Sequence, residues 1–126
     1  MNSKTIKNSK ISDTEIDKYS FLPLIREIVF DLSCHNYEKI KQDRRNGRVD
    51  IRDLQRVIEE YGCTIVPLTD NIADFIEFYT IDNEDRLDMY IPLWTKEEKR
   101  SDLTLFVSGY KKSNELVVEI NDLRVL

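Results

Sequence analysis

The last third of the chain limits the possible folds most. Between Leu87 and Leu126 the runs LDMYIPLWT, DLTLFVSGY and ELVVEINDLRVL concentrate residues that suit a pleated, half-buried surface, and the connections KEEKRS and KKSN are short and polar. This pattern predicts three successive strands of a meander. Met89, Ile91 and Leu93 share one face of the first strand, and Leu103, Leu105 and Val107 share one face of the second, which makes these the expected core faces. Pro92 has no N–H to give to a ladder, so its position belongs at an edge or a bulge. In the last strand Leu116, Val118 and Ile120 alternate, whereas Leu123 and Val125 have the opposite parity. A bulge near Asn121-Asp122 turns both inward again and bends the sheet.

Upstream the periodicity is helical. Leu22, Ile25, Ile28, Val29 and Leu32 form one apolar stripe, with Ser20 as the expected cap and Pro23 in the first turn, where its missing N–H has no partner to lose. The run YEKIKQDRRNG predicts a second helix with Tyr37 and Ile40 inward and Gly47 as its stop. Asp50 caps a third, in which Ile51, Leu54, Val57, Ile58 and Tyr61 form the stripe and Gly62 ends the helix. CTIVPL reads as a short β-type run edged by Pro67, and residues 69–71 as a turn. IADFIEFYTI reads as a strand whose first half has the alternative of a helical turn, and residues 82–86 as a hairpin or loop. Residues 1–12 hold only Ile6 and Ile11 as large apolar side chains and are expected to form a loose, flexible tail ahead of a single domain, residues 13–126. The expected class is α+β, with N-terminal helices packed on a bent, mainly antiparallel sheet of four or five strands.

Composition excludes several functions. No apolar run approaches the length that spans a bilayer, and MNSKTIKNSK lacks the hydrophobic region of a signal peptide, so a cytoplasmic protein is expected. Cys34 and Cys63 lack C-x-x-C spacing and are expected to be reduced, small, buried side chains. His35 is the single histidine, and beside Cys34 on a helix it points away from that thiol, so neither a multi-histidine metal site nor a Cys-His nucleophile is expected. No cofactor is expected either. The basic run Lys39, Lys41, Arg44, Arg45 and Arg48 is interspersed with Glu38 and Asp43, which makes a solvated helix face its default role.

Net charge is −5, and residues 64–126 carry the deficit, with 7 Lys/Arg against 13 Asp/Glu. Within 70–88, Arg86 alone opposes Asp70, Asp74, Glu77, Asp82, Glu84, Asp85 and Asp88. Such a surface repels phosphates and attracts basic partners over the same range, so direct nucleic-acid binding is disfavoured. The candidate partner-binding residues are therefore Asp74, Glu77, Asp82, Glu84, Asp85 and Asp88, with Phe75, Phe78 and Tyr79 as candidate aromatic anchors. The cluster at 82–88 lacks the spacing of a calcium loop. An alternative is a small-molecule or enzymatic pocket lined by Tyr90, Trp94, Tyr110, Asp102 and Asp122, formed if the sheet curls.

The segments FLPLIREIV, VIEEYGCTIVPL, PLWTKEEKRSDLTL and VEINDLRVL resemble an uncharacterised family of small bacterial domain proteins, over about residues 21–126. The order of three helices and then a bent sheet is also similar to the cone-shaped folds of the nuclear transport factor 2 and cystatin-like kind, which implies fold alone. By class, as a small acidic chain without a catalytic constellation, it resembles immunity proteins of bacterial contact-dependent growth inhibition. That likeness implies binding to a toxin domain, such as a basic nuclease, and carries over no residues.

Overall fold

The computed structural model describes residues 17–81 and 85–126, so the expected tail at 1–12 lies outside the described residues. A 3-10 turn, Lys18–Phe21, leads into α1 (Leu22–Ser33), followed by α2 (Tyr37–Gln42) and α3 (Ile51–Tyr61). A second 3-10 turn, Ile72–Asp74, precedes β1 (Glu77–Thr80), β2 (Arg86–Thr95), β3 (Lys99–Lys112) and β4 (Glu115–Val125). The strands make one antiparallel sheet in the order β1-β2-β3-β4, each paired with its neighbour in sequence. The α+β expectation holds. The sheet is open, with β1 and β4 as its edges, and the likeness to cone-shaped folds finds no support in it.

Apolar parity explains which face of the sheet the helices cover. Leu87, Met89, Ile91 and Leu93 of β2 join Leu103, Leu105 and Val107 of β3 in one buried cluster with Ile25, Ile28, Leu32, Leu54 and Ile58 of the helices. Each of these side chains contributes about 1.5–3 kcal/mol by leaving water. Gly109 continues the core face of β3 beneath Phe21; a Cβ there would stand 2.7 Å from the Phe21 ring, so the first turn of the helical layer sits where β3 has no side chain.

Several local expectations need correction. Ser20 does not cap α1; the chain enters through the 3-10 turn, and Asp17 accepts from the Tyr19 N–H at 3.0 Å. Pro23 sits in the first turn as predicted. Helix α2 stops at Gln42, short of Gly47, because the chain reverses at Arg44, which takes a φ of 60°. Gly47 instead lets the chain pass close against β4, where a Cβ would lie 2.9 Å from the Ile120 carbonyl oxygen. Helix α3 is capped as predicted by the Asp50 carboxylate, 2.9 Å from the Arg52 N–H, and ends at Gly62 with a φ of 74°.

Arg45 departs from the solvated face expected of its run. It is 8% exposed, and its Nη2 lies 2.8 Å from Asp31 and 3.0 Å from Asp43. Asp31, 1% exposed, also accepts from Asn36 Nδ2 at 3.0 Å. Burial pushes the Asp31 carboxyl up, but the bonds from Asn36 and Arg45 and the charges of Arg45 and Lys39 outweigh it and hold the group below the ordinary aspartate range. The Arg45 carbonyl accepts the Ile120 N–H at 2.7 Å, so this ion pair ties α1 to the loop that covers part of the β4 edge.

CTIVPL supplies one bridge, Ile65 to Thr95, instead of a fifth strand. Val66 donates to Trp94 O at 3.0 Å and Lys96 to Thr64 O at 2.9 Å, after which Pro67 has no N–H with which to continue. IADFIEFYTI divides, its first part forming the 3-10 turn and only Glu77–Thr80 pairing with β2. The register shifts after Pro92, which places that proline at a bulge. The predicted β4 bulge is present: Phe106 faces Asp122 and Val107 faces Ile120, leaving Asn121 over. It returns Leu123 to the core, but Val125, on the last rung of an edge strand, is 53% exposed. Both thiols are free; Cys34 at the end of α1 is exposed rather than buried, and Cys63 is half-buried, with burial pushing its thiol up.

Candidate functional site

The sheet has a second face, and no helix among the described residues packs on it. Phe106 identifies it: this side chain is buried, at 7% exposure, yet stands outside the cluster formed with the helices. Among the described residues its ring contacts come from the sheet itself. Tyr90, directly opposite on β2, lies with its ring centroid 4.5 Å away, and Tyr79 on β1 stands 4.8 Å from Tyr90 along the diagonal. On the other side the Arg124 guanidinium lies 4.6 Å over the Phe106 ring. Aromatic pairs at such separations add roughly 0.5–1.5 kcal/mol beyond simple burial.

Carboxylates flank this aromatic row at both ends. Glu77 faces Tyr90 across the β1–β2 ladder, and Asp122 faces Phe106 across β3–β4, so Glu77, Tyr90, Phe106 and Asp122 form one row across all four strands. Glu77 accepts from the Tyr79 hydroxyl at 2.6 Å, and this bond, followed by burial and the Glu77 charge, holds the phenol above its ordinary range. Arg124 Nε lies 3.5 Å from Asp122. The next rung is polar. Asp88 accepts from Ser108 Oγ at 2.7 Å and pairs with Arg86 at 3.1 Å, while Asn121 Nδ2 donates to Ser108 at 2.6 Å. Beyond it, Tyr110 donates to Glu119 at 2.8 Å, and a cleft of about 640 Å³ opens between Arg48, Asp85, Lys111 and Asn121.

The predicted residues are divided by strand parity. Glu77, Tyr79 and Asp88 reach the face on which no described helix packs. Asp85 is exposed on the rim of the cleft, and Asp74 is exposed in the 3-10 turn. Asp82 and Glu84 lie outside the described residues. Of the three candidate anchors only Tyr79 points outward, at 45% exposure. Phe78 meets Tyr19 at 6.0 Å and Phe75 meets Trp94 at 5.2 Å, both against the core. The residues proposed for a pocket also separate. Tyr90 and Asp122 share the aromatic row, Trp94 packs on Phe75, and Asp102 is exposed where its N–H meets the Tyr61 hydroxyl at 3.3 Å.

Sequence reasoning missed Phe106 and Arg124. The alternation of β3 does place Phe106 opposite in parity to Leu105 and Val107, and the expected bulge at Asn121-Asp122 does the same for Arg124 between Leu123 and Val125, which is the available signal; that Arg124 stacks on Phe106 in particular depends on the β3–β4 register. Among the described residues no helix is long and apolar enough to cross a membrane, and no group of three or more His, Cys, Asp or Glu is placed to hold a metal.

The family described as Domain of unknown function (DUF7668) matches residues 29–126. No curated protein and no solved structure matches the chain.

Proposed function

The chain belongs to the DUF7668 family, whose description assigns no activity, and we propose from its surface that it is a cytoplasmic protein-binding module whose contact face is the side of the sheet that no described helix covers. One observation carries this reading: Tyr79, Tyr90 and Phe106 run in contact across three strands with no helix over them among the described residues. Tyrosines on a rigid sheet give large contact area at little entropic cost, which is the character of interface anchors. Glu77, Asp85, Asp88, Glu119 and Asp122 against Arg48, Arg86, Lys111 and Arg124 leave the face and its cleft slightly net negative, with only acids among the described charges at the Glu77 end, in keeping with the charge of the whole chain. A basic partner is the complement of such a face, because opposite potentials steer encounter and exclude acidic competitors.

The most specific form of the reading is an immunity protein that neutralises a toxin domain with a basic, phosphate-binding cleft. What supports it is the carboxylates of this face, Glu77, Asp88, Glu119 and Asp122, set around the aromatic row. The test is co-expression with a basic toxin domain encoded beside this chain, scored by cell survival and by calorimetric binding at low and high salt. Survival that requires Tyr90, together with an affinity that falls as salt rises, is the expected result. Equal protection by wild type and by Tyr90→Ser, or binding indifferent to salt, removes this face from the mechanism.

A further inference from the structure

We propose that Glu77 and Tyr79, backed by Tyr90, form a docking place for one arginine side chain of the partner. Its guanidinium would lie on the Tyr79 ring with its N–H groups on the Glu77 carboxylate. This inference rests on the reading of the sheet face as the contact surface and names the chemistry the β1 side of that face takes.

The two ends of the aromatic row are built alike. On β4, Asp122 stands opposite Phe106, and the residue two further on, Arg124, lies over that ring and pairs with Asp122. On β1, Glu77 stands opposite Tyr90, and the residue two further on, Tyr79, lies on that ring and donates to Glu77. The β4 end thus shows, within this chain, how a guanidinium settles against an aromatic and a carboxylate of the sheet. The β1 end repeats the aromatic and the carboxylate but presents a tyrosine where β4 presents its cation. The nearby Lys18 is turned away from this place, over Tyr19 and Phe78 on the opposite side of β1.

Chemistry selects arginine for this place. A carboxylate has about four acceptor positions, and the Tyr79 hydroxyl uses one, so Glu77 keeps room for further donors. A planar guanidinium can stack on the ring and donate sideways to Glu77 in one pose, whereas a lysine ammonium, more strongly hydrated and without a planar fork, gives up one contact to make the other. Glu77 and Tyr79 are both exposed on an edge strand, so a partner side chain reaches them without rearrangement of the core.

The test is an amide-resolved NMR titration of the full chain with N-acetyl-Ala-Arg-Ala-amide, its citrulline counterpart and its lysine counterpart. The expected result is saturable shifts at Glu77, Tyr79, Tyr90 and Phe106, with the arginine peptide bound at least ~5-fold more tightly than the neutral citrulline isostere. Glu77→Gln and Tyr79→Leu, at exposed positions that leave the core intact, should each remove most of that preference. Shifts on this face of equal strength for arginine and citrulline overturn the arginine site while leaving the face as a contact surface. Silence of the face toward every peptide also overturns it, and partner binding by Tyr90→Ser then judges the broader reading separately.

Discussion

Asp31→Asn tests the tie between the helical layer and β4. The carboxylate is 1% exposed and accepts from Asn36 and Arg45, while Arg45 passes the constraint to β4 through its carbonyl. Removing one partner of a buried pair costs about 3–5 kcal/mol when the other charge is stranded. Arg45 keeps Asp43 at 3.0 Å, so the expected loss falls at or just below the lower end, about 2–3 kcal/mol. For a chain of this length that lowers Tm by roughly 10 °C. Because the folded carboxyl titrates below its ordinary value of 3.8, the stability it contributes is fully present above that value and is lost as pH falls through the folded pKa. Urea denaturation at neutral pH should therefore show the full gap between wild type and variant, and the gap should close in acid below that window. The pair Asp31→Leu with Arg45→Met, which buries no charge, should recover much of the loss. A neutral-pH loss under about 0.5 kcal/mol, or a gap that persists unchanged in strong acid, refutes the reasoning.

Gly109→Val should destabilise by about 2 kcal/mol or more through overlap with Phe21, read as a lower urea midpoint with an unchanged slope; an unaltered midpoint means that the 3-10 turn does not hold Phe21 on β3. Deleting Asn121 should remove the bulge and leave a regular ladder in which Ile120, Asp122 and Leu123 keep their alternation and Leu123 stays opposite Leu105, seen as retained amide protection of β4; loss of that protection contradicts the β3–β4 register. Cys34 should react with a thiol reagent well before Cys63 in the native protein, since it is exposed and Cys63 is half-buried with a raised thiol pKa; equal rates contradict this. Asp50→Ala should cost about 1 kcal/mol through loss of the cap of α3, measured by thermal melting, with no change in partner binding.

Much of the fold is legible in the sequence because period and punctuation agree locally. The meander, the stripes of α1 and α3, the Asp50 cap, the Gly62 stop and the bulge at Asn121 all rest on residues within a few positions of one another. The expectations that fail each depend on a distant neighbour. Gly47 has the local look of a helix stop, whereas its lack of a side chain serves contact with Ile120. Arg45 has the local look of a solvated residue because its partner Asp31 lies 14 residues away, on α1. CTIVPL has strand composition but shares the edge of β2 with β1, so only one bridge forms.

The candidate site divides in the same way. The sequence by itself determined that acids and aromatics crowd the approach to β2, because composition needs no partner to be read. Only the tertiary structure decided which of them face outward together. Phe75 and Phe78 went to the core and Tyr79 to the open face through strand parity and the break at the 3-10 turn. Tyr90, Phe106 and Asp122, taken from three successive strands, became one row with Glu77 only when the ladders set their register. Register is a relation between strands, fixed by long-range pairing of side chains on the covered face, and no single segment carries it.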